Sequence, residues 1–599
     1  MRSDFRAAAL IVVAVVITYA NSLNGPFILD DFGAIVTNAS IRELSNPAVL
    51  RPPPELPVSG RPVANVSFAV SYALGGLNEK GYHVANIALH LGCALLLFGL
   101  LRRTDESIAL LAALVWAVHP LNSEAVDYAT QRTELLVGVF YLTTIYASVR
   151  ALARPGGMAW PALAVASCAL GMGSKESMAT APLMVALYDR AFAFGSFRDA
   201  FARRWRFYAA LAATWLVLAV VIATAPRTES AGFSSGIRPA VYLWNQAILI
   251  PHYLRLAVWP RGLVVDYGWP VHLTLGDVFP QVLLLAALVA IAIAAFARRP
   301  RVGFWAIWFF VTLAPASSIV PIATEVGAER RMYLPLVSLA VLFAIAVDRL
   351  DEAVGGRKRV PLAVGIALVP ALAWMTMDRN REYASPLVLA RTTVERWPSA
   401  VAHATYGIEL ERAGSHVEAL SELRQAVAGG DFRAEYPLGG ALFDAGNIDE
   451  AIAHLRRYLD EGSAPPALQI DARRMLGSAY FQKQNWAAAA AEFDHVLSAR
   501  PDDEASRRYL ADALFAQRSY GPAAAAYGQF LKIRPTDVDA LMNLGIALAA
   551  QGRNDEALAA FRRAADADPR NPDARANLVQ MLLRMGRVDE AEAEAAKRR

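Results

Sequence analysis

Apolar runs recur along the first 376 residues of the chain and stop there. Hydrophobic residues make up 55% of the 599 residues and charged residues only 19%, a balance that soluble proteins of this size rarely show. We predict eleven membrane crossings, over residues 6–22, 84–101, 107–119, 133–150, 160–173, 177–190, 207–224, 281–297, 303–321, 332–347 and 360–376. Several are shorter than the roughly 20 residues that a full span needs. The sequence therefore predicts an all-α, polytopic membrane domain in which some crossings end inside a protein-lined cavity.

Net charge and cysteine content narrow the function classes. The net charge of +4 is small for this length and gives no indication of nucleic-acid binding. Cys93 and Cys168 both lie within apolar runs, so we interpret them as membrane-buried side chains and not as a disulfide or a metal pair. The first apolar run has features of a cleaved signal peptide, but we favour a retained crossing because many apolar runs follow it.

Basic residues indicate the orientation of the membrane domain. With the N-terminus in the cytoplasm, every strongly basic cluster falls into a cytoplasmic loop, including Arg102 with Arg103 and the run from Arg298 to Arg301. The apolar stretch 241–260 must then be re-entrant or lie along the surface. An odd number of crossings sends the C-terminal region out of the cytoplasm. We therefore expect a multi-pass protein of the bacterial inner membrane with its C-terminal region on the outer side.

The same orientation collects the unusual polar sequence on the non-cytoplasmic face. It contains the pair Asp30 and Asp31, then residues 119–134, 173–177 and 324–335. Ionisable groups at membrane depth are costly, and they usually mark a substrate path or a buried pair. Each segment alone could be a solvated loop end. Four such segments on one face predict a common site.

The C-terminal part of the chain has a 34-residue period. Equivalent leucine and proline positions recur one repeat apart, at Leu476, Leu510 and Leu544 and at Pro501, Pro535 and Pro569. This spacing is typical of the tetratricopeptide helix-turn-helix, which stacks into an α-solenoid able to hold an extended peptide. We therefore predict a transmembrane domain over residues 1–378, a linker helix over 379–400, and about six tetratricopeptide repeats over 401–599.

A family resemblance appears when these segments are taken in order. The chain is similar to the transmembrane-and-tetratricopeptide-repeat family of membrane O-mannosyltransferases and their bacterial relatives. The segments that carry the likeness are "FILDDFGAIVTNASI", "RPVANVSFAVSYALGGLNEKGYHVANIALHL", "HPLNSEAVDYATQRTELLVGVFYL", "GSKESMATAPLMVALYD" and "GAERRMYLPLVSLA". The resemblance implies a class C glycosyltransferase, which takes a sugar from a polyprenyl phosphate carrier on the non-cytoplasmic side of the membrane.

The paired acids are the candidate catalytic residues. An alcohol is a poor nucleophile until its proton has an acceptor, so transfer to a hydroxyl needs a carboxylate within hydrogen-bond reach. The resemblance implies that acids of the first loop have this role, and we place the base on Asp31 slightly ahead of Asp30. The neighbouring acid could tune the pKa, bind a divalent cation or hold the acceptor. The alternative is that the pair caps a helix that starts near Phe32.

A lipid phosphate leaving group needs a cation near the bilayer surface, and Arg suits bidentate phosphate contact better than Lys. The candidates are Arg330, carried over first from the family motif, then Arg331, Lys175 and Arg132. Structural pairing of Arg330 with Glu329 or Glu325 is the competing interpretation. The candidate substrate-pocket residues are His119, Glu124 and Glu176. The proline after His119 also reads as a helix stop. No metal ligands are predicted, and a divalent cation stays open as a cofactor.

Two functions of different class follow. The favoured function is transfer of a sugar, with mannose as the first candidate, from a polyprenyl phosphate donor in the membrane lipid to a hydroxyl of a polypeptide acceptor that the repeats bind. The alternative is a non-catalytic membrane scaffold that uses the repeats for protein–protein interaction. A transporter is a weaker third option. A catalytic chain requires Asp30 or Asp31 and a basic residue around one lipid-accessible cavity, whereas a scaffold does not.

Overall fold

The computed structural model describes residues 2–54, 56–154, 156–225, 232–233, 236–318, 320–461 and 465–597. In these residues the regular structure is helical and contains no strand. The chain divides into two compact units, Met1–Ala402 and His403–Arg599. The predicted all-α class is therefore confirmed.

The described residues of the first unit form sixteen α-helices. They are α1 (Arg2–Tyr19), α2 (Pro62–Gly75), α3 (Glu79–Thr104), α4 (Ala109–Ala117), α5 (Ser123–Asp127), α6 (Arg132–Leu152), α7 (Ala159–Met172), α8 (Ala181–Tyr188), α9 (Phe197–Ala213), α10 (Trp215–Thr224), α11 (Pro239–Val258), α12 (Leu275–Arg298), α13 (Pro300–Leu313), α14 (Pro335–Ala353), α15 (Arg359–Tyr383) and α16 (Pro386–Arg396). Short 3-10 or π-helical turns lie between several of them, including Phe32–Val36, Glu176–Thr180 and Glu329–Met332.

Among the described residues, fewer than eleven helices are long enough for a full crossing. In the described residues, six helical segments are long and apolar enough to cross a membrane, or seven if the bent pair α4 and α5 counts as one. The pair bends by 55° where His119 and Pro120 interrupt the helix. Other predicted crossings form helices of only 14 residues, as in α7 and α13. The apolar pattern therefore located the helices, and the eleven crossings stay a prediction because several of these helices are shorter than a full span.

The predicted linker helix over residues 379–400 is divided between two helices. Helix α15 continues to Tyr383, and Pro386 begins α16. The side chain of Ser385 accepts a hydrogen bond from the N–H of Val388, which caps the start of α16. Both helices belong to the first unit.

Two buried tryptophans fix the segment that precedes α14. The indole N–H of Trp116 donates to the carbonyl of Tyr333 at 3.1 Å, and that of Trp308 donates to the carbonyl of Leu334 at 2.8 Å. Pro335 then starts α14 without needing an N–H partner. These bonds hold the turn Glu329–Met332 in one position. That turn presents one of the polar segments selected from the sequence.

In the described residues after α16, twelve helices follow as six consecutive pairs. They are α17 (Ala400–Arg412), α18 (His416–Ala428), α19 (Glu435–Asp444), α20 (Ile448–Glu461), α21 (Pro466–Gln482), α22 (Trp486–Ala499), α23 (Glu504–Ala516), α24 (Tyr520–Ile533), α25 (Val538–Ala550), α26 (Asn554–Ala567), α27 (Pro572–Arg584) and α28 (Val588–Ala596). The 34-residue period therefore predicted this part of the fold correctly.

Two features repeat along these pairs. A glycine in the first helix packs against a large side chain of the second helix, and an added Cβ would meet that side chain at 3.0 Å or less: Gly407 with Leu423, Gly439 with Leu455, Gly477 with Phe493 and Gly545 with Phe561. The turn between the two helices takes a residue with positive φ: Gly414, Gly446, Gln484, Arg518, Gly552 and Gly586. Gln484 and Arg518 adopt a conformation that glycine adopts at lower cost.

Candidate active site

The segment Ile28 to Asp31 forms a tight turn that the Asp31 carboxylate holds closed. The N–H of Asp31 donates to the carbonyl of Ile28 at 2.8 Å, and the N–H of Ile28 donates to Asp31 Oδ2 at 3.0 Å. Asp31 Oδ1 accepts from the N–H of Thr130 at 2.6 Å and from its hydroxyl at 2.5 Å. Asp31 is 0% exposed. It therefore ties the first loop to the segment that precedes α6.

This closure forces an unusual backbone on Leu29. Its φ of 45° lies in the left-handed region, which non-glycine residues rarely adopt. The N–H of the next residue, Asp30, donates to the hydroxyl of Tyr128 at 2.7 Å. Local strain of this kind persists only where several contacts determine it, and it is concentrated at functional sites.

The two acids have different environments. Asp30 is exposed, whereas Asp31 is fully buried and accepts three hydrogen bonds. Asp31 precedes the π-helical turn Phe32–Val36 but makes no side-chain cap hydrogen bond to it. The helix-capping alternative therefore does not describe Asp31, which bonds to residues outside that turn.

Arg330 is held between two carboxylates. Its Nη1 donates to Glu124 Oε1, its Nη2 donates to Glu325 Oε2, and its backbone N–H donates to Glu124 Oε2 at 2.8 Å. Glu124 is 1% exposed. The predicted competing pair with Glu325 is therefore present, whereas Glu329 bonds to the N–H of Val264 at 2.5 Å. Glu124, a candidate pocket residue, orients Arg330.

Two more cations, Lys175 and Arg61, each lie near a carboxylate. Lys175 Nζ donates to Glu134 Oε1, and Arg61 Nη2 lies 3.7 Å from Glu176 Oε2. The N–H of Val63 donates to the carbonyl of Gly173 at 3.1 Å, so the start of α2 is bonded to the loop of Lys175. Arg61 was not among the residues selected from the sequence.

The charges of Arg330 and Arg61 act on both Asp30 and Lys175, and we call the region around these four side chains the recess. Desolvation in the recess raises the pKa of Asp30, while Arg330 and Arg61 lower it and Glu325 raises it. Burial lowers the pKa of Lys175, which Glu134 raises and the positive charges of Arg61 and Arg330 lower further. Burial raises the pKa of Asp31 to about 7, against the hydrogen bonds from Thr130 and Ile28. The structure therefore brings together Asp30, Arg330 and Lys175 from three separate loops.

Three candidate residues form hydrogen bonds with other residues of the protein. Arg132 donates to Asn86 Oδ1, to Ser71 Oγ and to the carbonyls of Ser67 and Tyr82. Arg331 donates to the hydroxyl of Tyr242 and to the carbonyls of Ala316, Val326 and Glu325. His119 Nδ1 accepts from the N–H of Leu121, and its Nε2 lies 3.0 Å from the carbonyl oxygen of Ala257. These contacts hold loops and helix ends together. The sequence analysis did not predict this structural role for the three residues.

No group of three or more His, Cys, Asp or Glu side chains is placed to hold a metal ion within the described ranges.

Family models of known proteins match two parts of the chain. The family model of dolichyl-phosphate-mannose-protein mannosyltransferases matches residues 57–223. Tetratricopeptide-repeat models match residues 390–466, 474–538, 510–572 and 548–597. The human protein O-mannosyl-transferase TMTC1 is 24% identical over 503 residues, which cover 70% of this chain and 55% of that protein. The chain is therefore similar to the TMTC transmembrane and tetratricopeptide-repeat proteins in both of its parts.

Two further TMTC relatives match shorter parts of the chain. Drosophila melanogaster Tmtc1 is 31% identical over 293 residues, covering 42% of this chain and 33% of that protein. Mouse TMTC3 is 29% identical over 167 residues, covering 26% of this chain and 18% of that protein. The chain thus spans between 18% and 55% of the length of these curated relatives.

Among solved structures, MamA from Desulfovibrio magneticus RS-1 is 20% identical with a TM-score of 0.26, covering 28% of this chain and 93% of that one. The tetratricopeptide-repeat protein YrrB is 18% identical with a TM-score of 0.29, covering 31% of this chain and 95% of that one.

The part of the chain that matches the mannosyltransferase model contains Arg61, Glu124 and Lys175. Asp30 and Arg330 lie outside it. The sequence signal for Arg61 was present in the segment that begins "RPVANVSF", but an arginine before a proline also reads as an ordinary helix start.

Proposed function

We propose that the chain is a membrane glycosyltransferase that moves a sugar from a polyprenyl phosphate carrier to a hydroxyl of a protein acceptor on the non-cytoplasmic side. One observation carries the proposal. The exposed Asp30 carboxylate lies in the same recess as Arg330, Arg61 and Lys175, and these groups come from four loops. A base beside a cluster of cations fits transfer from a phosphate to a hydroxyl. Similarity to proteins named O-mannosyl-transferases makes mannose the first sugar to test.

Asp30 and the cations have separate roles in the proposed reaction. The acceptor oxygen forms a bond to the anomeric carbon, and the bond from that carbon to the phosphate oxygen breaks with its electron pair left on the phosphate. Asp30 takes the acceptor proton. Desolvation by burial raises its pKa, which increases its strength as a base. The cations stabilise the negative charge that develops on the departing phosphate.

Asp31 acts as a positioning residue in this proposal. Its carboxylate oxygens are taken by the N–H groups of Ile28 and Thr130 and by the Thr130 hydroxyl. It therefore fixes the turn that presents Asp30. The sequence placed the base on Asp31 slightly ahead of Asp30, and this burial and bonding favour Asp30 instead.

The repeats bind the acceptor in this proposal. An open cavity of about 300 Å³ lies among α22, α23 and α24, and it is large enough for a few side chains of an extended peptide. Its lining alternates apolar and polar groups, with Leu497 and Leu510 beside Asp494 and Gln529. The topology predicted from the basic loops would place these repeats on the outer side, where the donor sugar is presented.

Purified full-length chain in lipid nanodiscs provides the test. We expect transfer of a radiolabelled sugar from a polyprenyl phosphate donor to a small hydroxyl acceptor and to a secreted protein. Ala525→Arg, which fills the repeat cavity from an exposed position on α24, should reduce transfer to protein while sparing the small acceptor. Ala491→Arg, on an exposed face of α22 outside the lining, is the matched control. Absence of transfer from every polyprenyl phosphate sugar would leave the scaffold as the better function.

A further inference from the structure

We propose that Arg61 is the residue that grips the phosphate of the lipid donor and that the lipid chain reaches it along α10. This inference rests on the proposed function for the nature of the ligand. The proposal is carried by the position of Arg61 between the charged recess and α10, a helix with exposed apolar side chains.

Of the three cations, Arg61 makes the weakest contact with a carboxylate. The side chains of Arg61, Lys175 and Arg330 are almost equally enclosed, at 12%, 14% and 15% exposed. Arg330 already donates to two carboxylates, and Lys175 donates to Glu134. Arg61 Nη2 stands 3.7 Å from Glu176, beyond hydrogen-bond distance. An arriving phosphate would have to break ion pairs at Arg330 or Lys175 but not this looser contact.

One donor of Arg61 also lacks a partner. Among the described residues, Arg61 Nε is buried and makes no hydrogen bond. A buried polar nitrogen without a partner is costly, and a charged nitrogen more so. A phosphate oxygen on the Nε edge would satisfy it and would use the planar fork of the guanidinium. Lysine offers no such fork.

The position of Arg61 relative to Asp30 suits the leaving group. Arg61 is close enough to the Asp30 carboxylate and to the Lys175 ammonium for its charge to act on both. A phosphate bound there would leave its sugar next to the proposed base. When the bond to the anomeric carbon breaks, the electron pair remains on a phosphate oxygen that already faces a fixed positive charge.

Helix α10 adjoins the loop of Arg61. An added Cβ at Gly60, the residue before Arg61, would lie 3.8 Å from Val221 Cγ1 and 3.6 Å from the carbonyl oxygen of Ala225. At the other end of α10, the indole N–H of Trp215 donates to the carbonyl of Ala179, in the turn that follows Lys175. Both ends of α10 therefore adjoin loops of the recess.

The outer side of α10 is apolar and open. Leu216, Val220 and Ile222 are 69%, 61% and 54% exposed. A polyprenyl chain lying among the bilayer lipids along these side chains would deliver its phosphate to the end of the helix where Gly60 and Arg61 lie. The lipid tail and the phosphate would then occupy neighbouring parts of one path.

Direct binding of the lipid product separates this inference from catalysis. The full-length chain in nanodiscs is titrated with a polyprenyl monophosphate and with the matching polyprenol. Arg61→Ala should weaken binding of the phosphate by about 10- to 100-fold and leave the alcohol unchanged, because a charged hydrogen-bond pair is lost. Arg61→Lys should fall between the two, and Glu176→Gln should tighten binding by releasing Arg61. Arg51→Ala, an exposed arginine of the same loop, is the matched control.

A photoreactive polyprenyl phosphate tests the path of the chain. It should label α10 in preference to α12, whose Leu283 and Ile291 are exposed to a similar degree. Unchanged phosphate binding in Arg61→Ala and Arg61→Lys would overturn the assignment of Arg61, and equal labelling of the two helices would overturn the path. If Arg61→Ala does not fold, Arg61→Lys and Glu176→Gln still decide. Arg61-dependent binding without sugar transfer would overturn the proposed function alone, and sugar transfer independent of Arg61 would overturn this inference alone.

Discussion

The two units of the chain use their charged side chains in opposite ways. In the membrane unit, Asp31 bonds to Thr130, 99 positions away, and Glu124 bonds to Arg330, 206 positions away. Both carboxylates are almost completely buried. In the repeats, acid–base pairs recur 19 positions apart and stay partly exposed except for one: His403 with Glu422, Glu435 with His454, and Arg473 with Glu492.

The ion pairs of the repeats join residues that are near in sequence, whereas the buried carboxylates of the membrane unit join residues that are far apart in sequence. A repeat pairs its own two helices, so losing one ion pair affects one repeat. A buried carboxylate in the membrane unit holds two loops together, so losing it moves a site that several loops share. We therefore expect equivalent changes to have local consequences in the repeats and functional consequences in the membrane unit.

The largest expected effect is at Asp30. Asp30→Asn preserves size and removes most proton-accepting power, so we expect sugar transfer to fall by roughly 10²- to 10⁴-fold. Because Asp30 is exposed and binds Tyr128 through its backbone N–H, the melting temperature should hardly change. Glu492→Gln in the repeats is the control, and it should leave transfer intact. Full activity of Asp30→Asn would remove Asp30 from the mechanism and erase the contrast between the units.

A smaller loss of activity, together with a loss of stability, is expected at Asp31. An asparagine there offers one acceptor oxygen where Asp31 now accepts three hydrogen bonds, and each buried donor left unsatisfied costs about 1–3 kcal/mol. We expect a lower melting temperature and roughly a 10- to 100-fold loss of transfer as Asp30 loses its position. A pH profile of kcat/KM separates the two roles, since Asp31→Asn should retain the acid limb of the wild type. Loss of that limb in Asp31→Asn would restore Asp31 as the base.

Much of the fold follows from sequence, because helices and repeats are local. The 34-residue period predicts tetratricopeptide helix pairs, and the described residues of the C-terminal part contain them. The number of full spans does not follow from apolar composition alone, because some apolar runs form helices of only 14 residues, as in α7 and α13. Long-range structure decides which helices reach full length.

The candidate site was less accessible from sequence. Adjacent acids look equivalent in a sequence, and the difference between Asp30 and Asp31 depends on Thr130, which is 99 positions from Asp31. Arg132 and Arg331 were selected for their charge, but buried carbonyls and side-chain oxygens surround their guanidinium groups. Arg61 escaped selection because its neighbours in the recess are residues of other loops. Partner identity, rather than residue type, separates these arginines.

The pH dependence of transfer gives the next effect, of about tenfold per pH unit on the acid side. Transfer needs ionised Asp30, so activity should be lost as pH falls through its pKa. Desolvation raises that pKa, so the acid limb should lie above the ordinary value of 3.8. Glu325→Gln removes a negative charge that raises this pKa, and should move the limb to lower pH. An acid limb at or below 3.8 in the wild type, or an upward shift in Glu325→Gln, would contradict this account.

Steric substitution of buried glycines compares the two units directly. An added Cβ would lie 2.5 Å from Phe561 at Gly545 and 2.6 Å from Tyr333 at Gly138. Overpacking of this kind costs about 1–3 kcal/mol. Gly545→Ala should destabilise the repeats without changing transfer to a small acceptor, whereas Gly138→Ala should also reduce that transfer, because Tyr333 adjoins the turn that carries Arg330.

Glycines without close neighbours provide the controls for this comparison. An added Cβ at Gly528 in α24 or at Gly81 in α3 meets nothing within 4 Å. Alanine at either position should leave both stability and transfer near their wild-type values. If Gly138→Ala lowers the melting temperature but spares transfer, the site is less coupled to the core than the contacts of Tyr333 indicate.

The smallest effect is expected where the two units carry the same backbone strain. Arg518 in a repeat turn and Leu29 beside Asp30 have φ of 62° and 45°, and both side chains are exposed. Glycine at either position removes the left-handed strain, and this gain exceeds the extra entropy that glycine loses on folding. We therefore expect each change to stabilise its unit by up to about 1 kcal/mol. Arg518→Gly should leave transfer unchanged, because its turn only joins two helices. Leu29→Gly should lower transfer by less than about tenfold, because a more flexible turn presents Asp30 less uniformly. Paired melting curves and initial rates measure both effects, and equal rates for the two variants would mean that the strain at Leu29 has no part in holding the carboxylate.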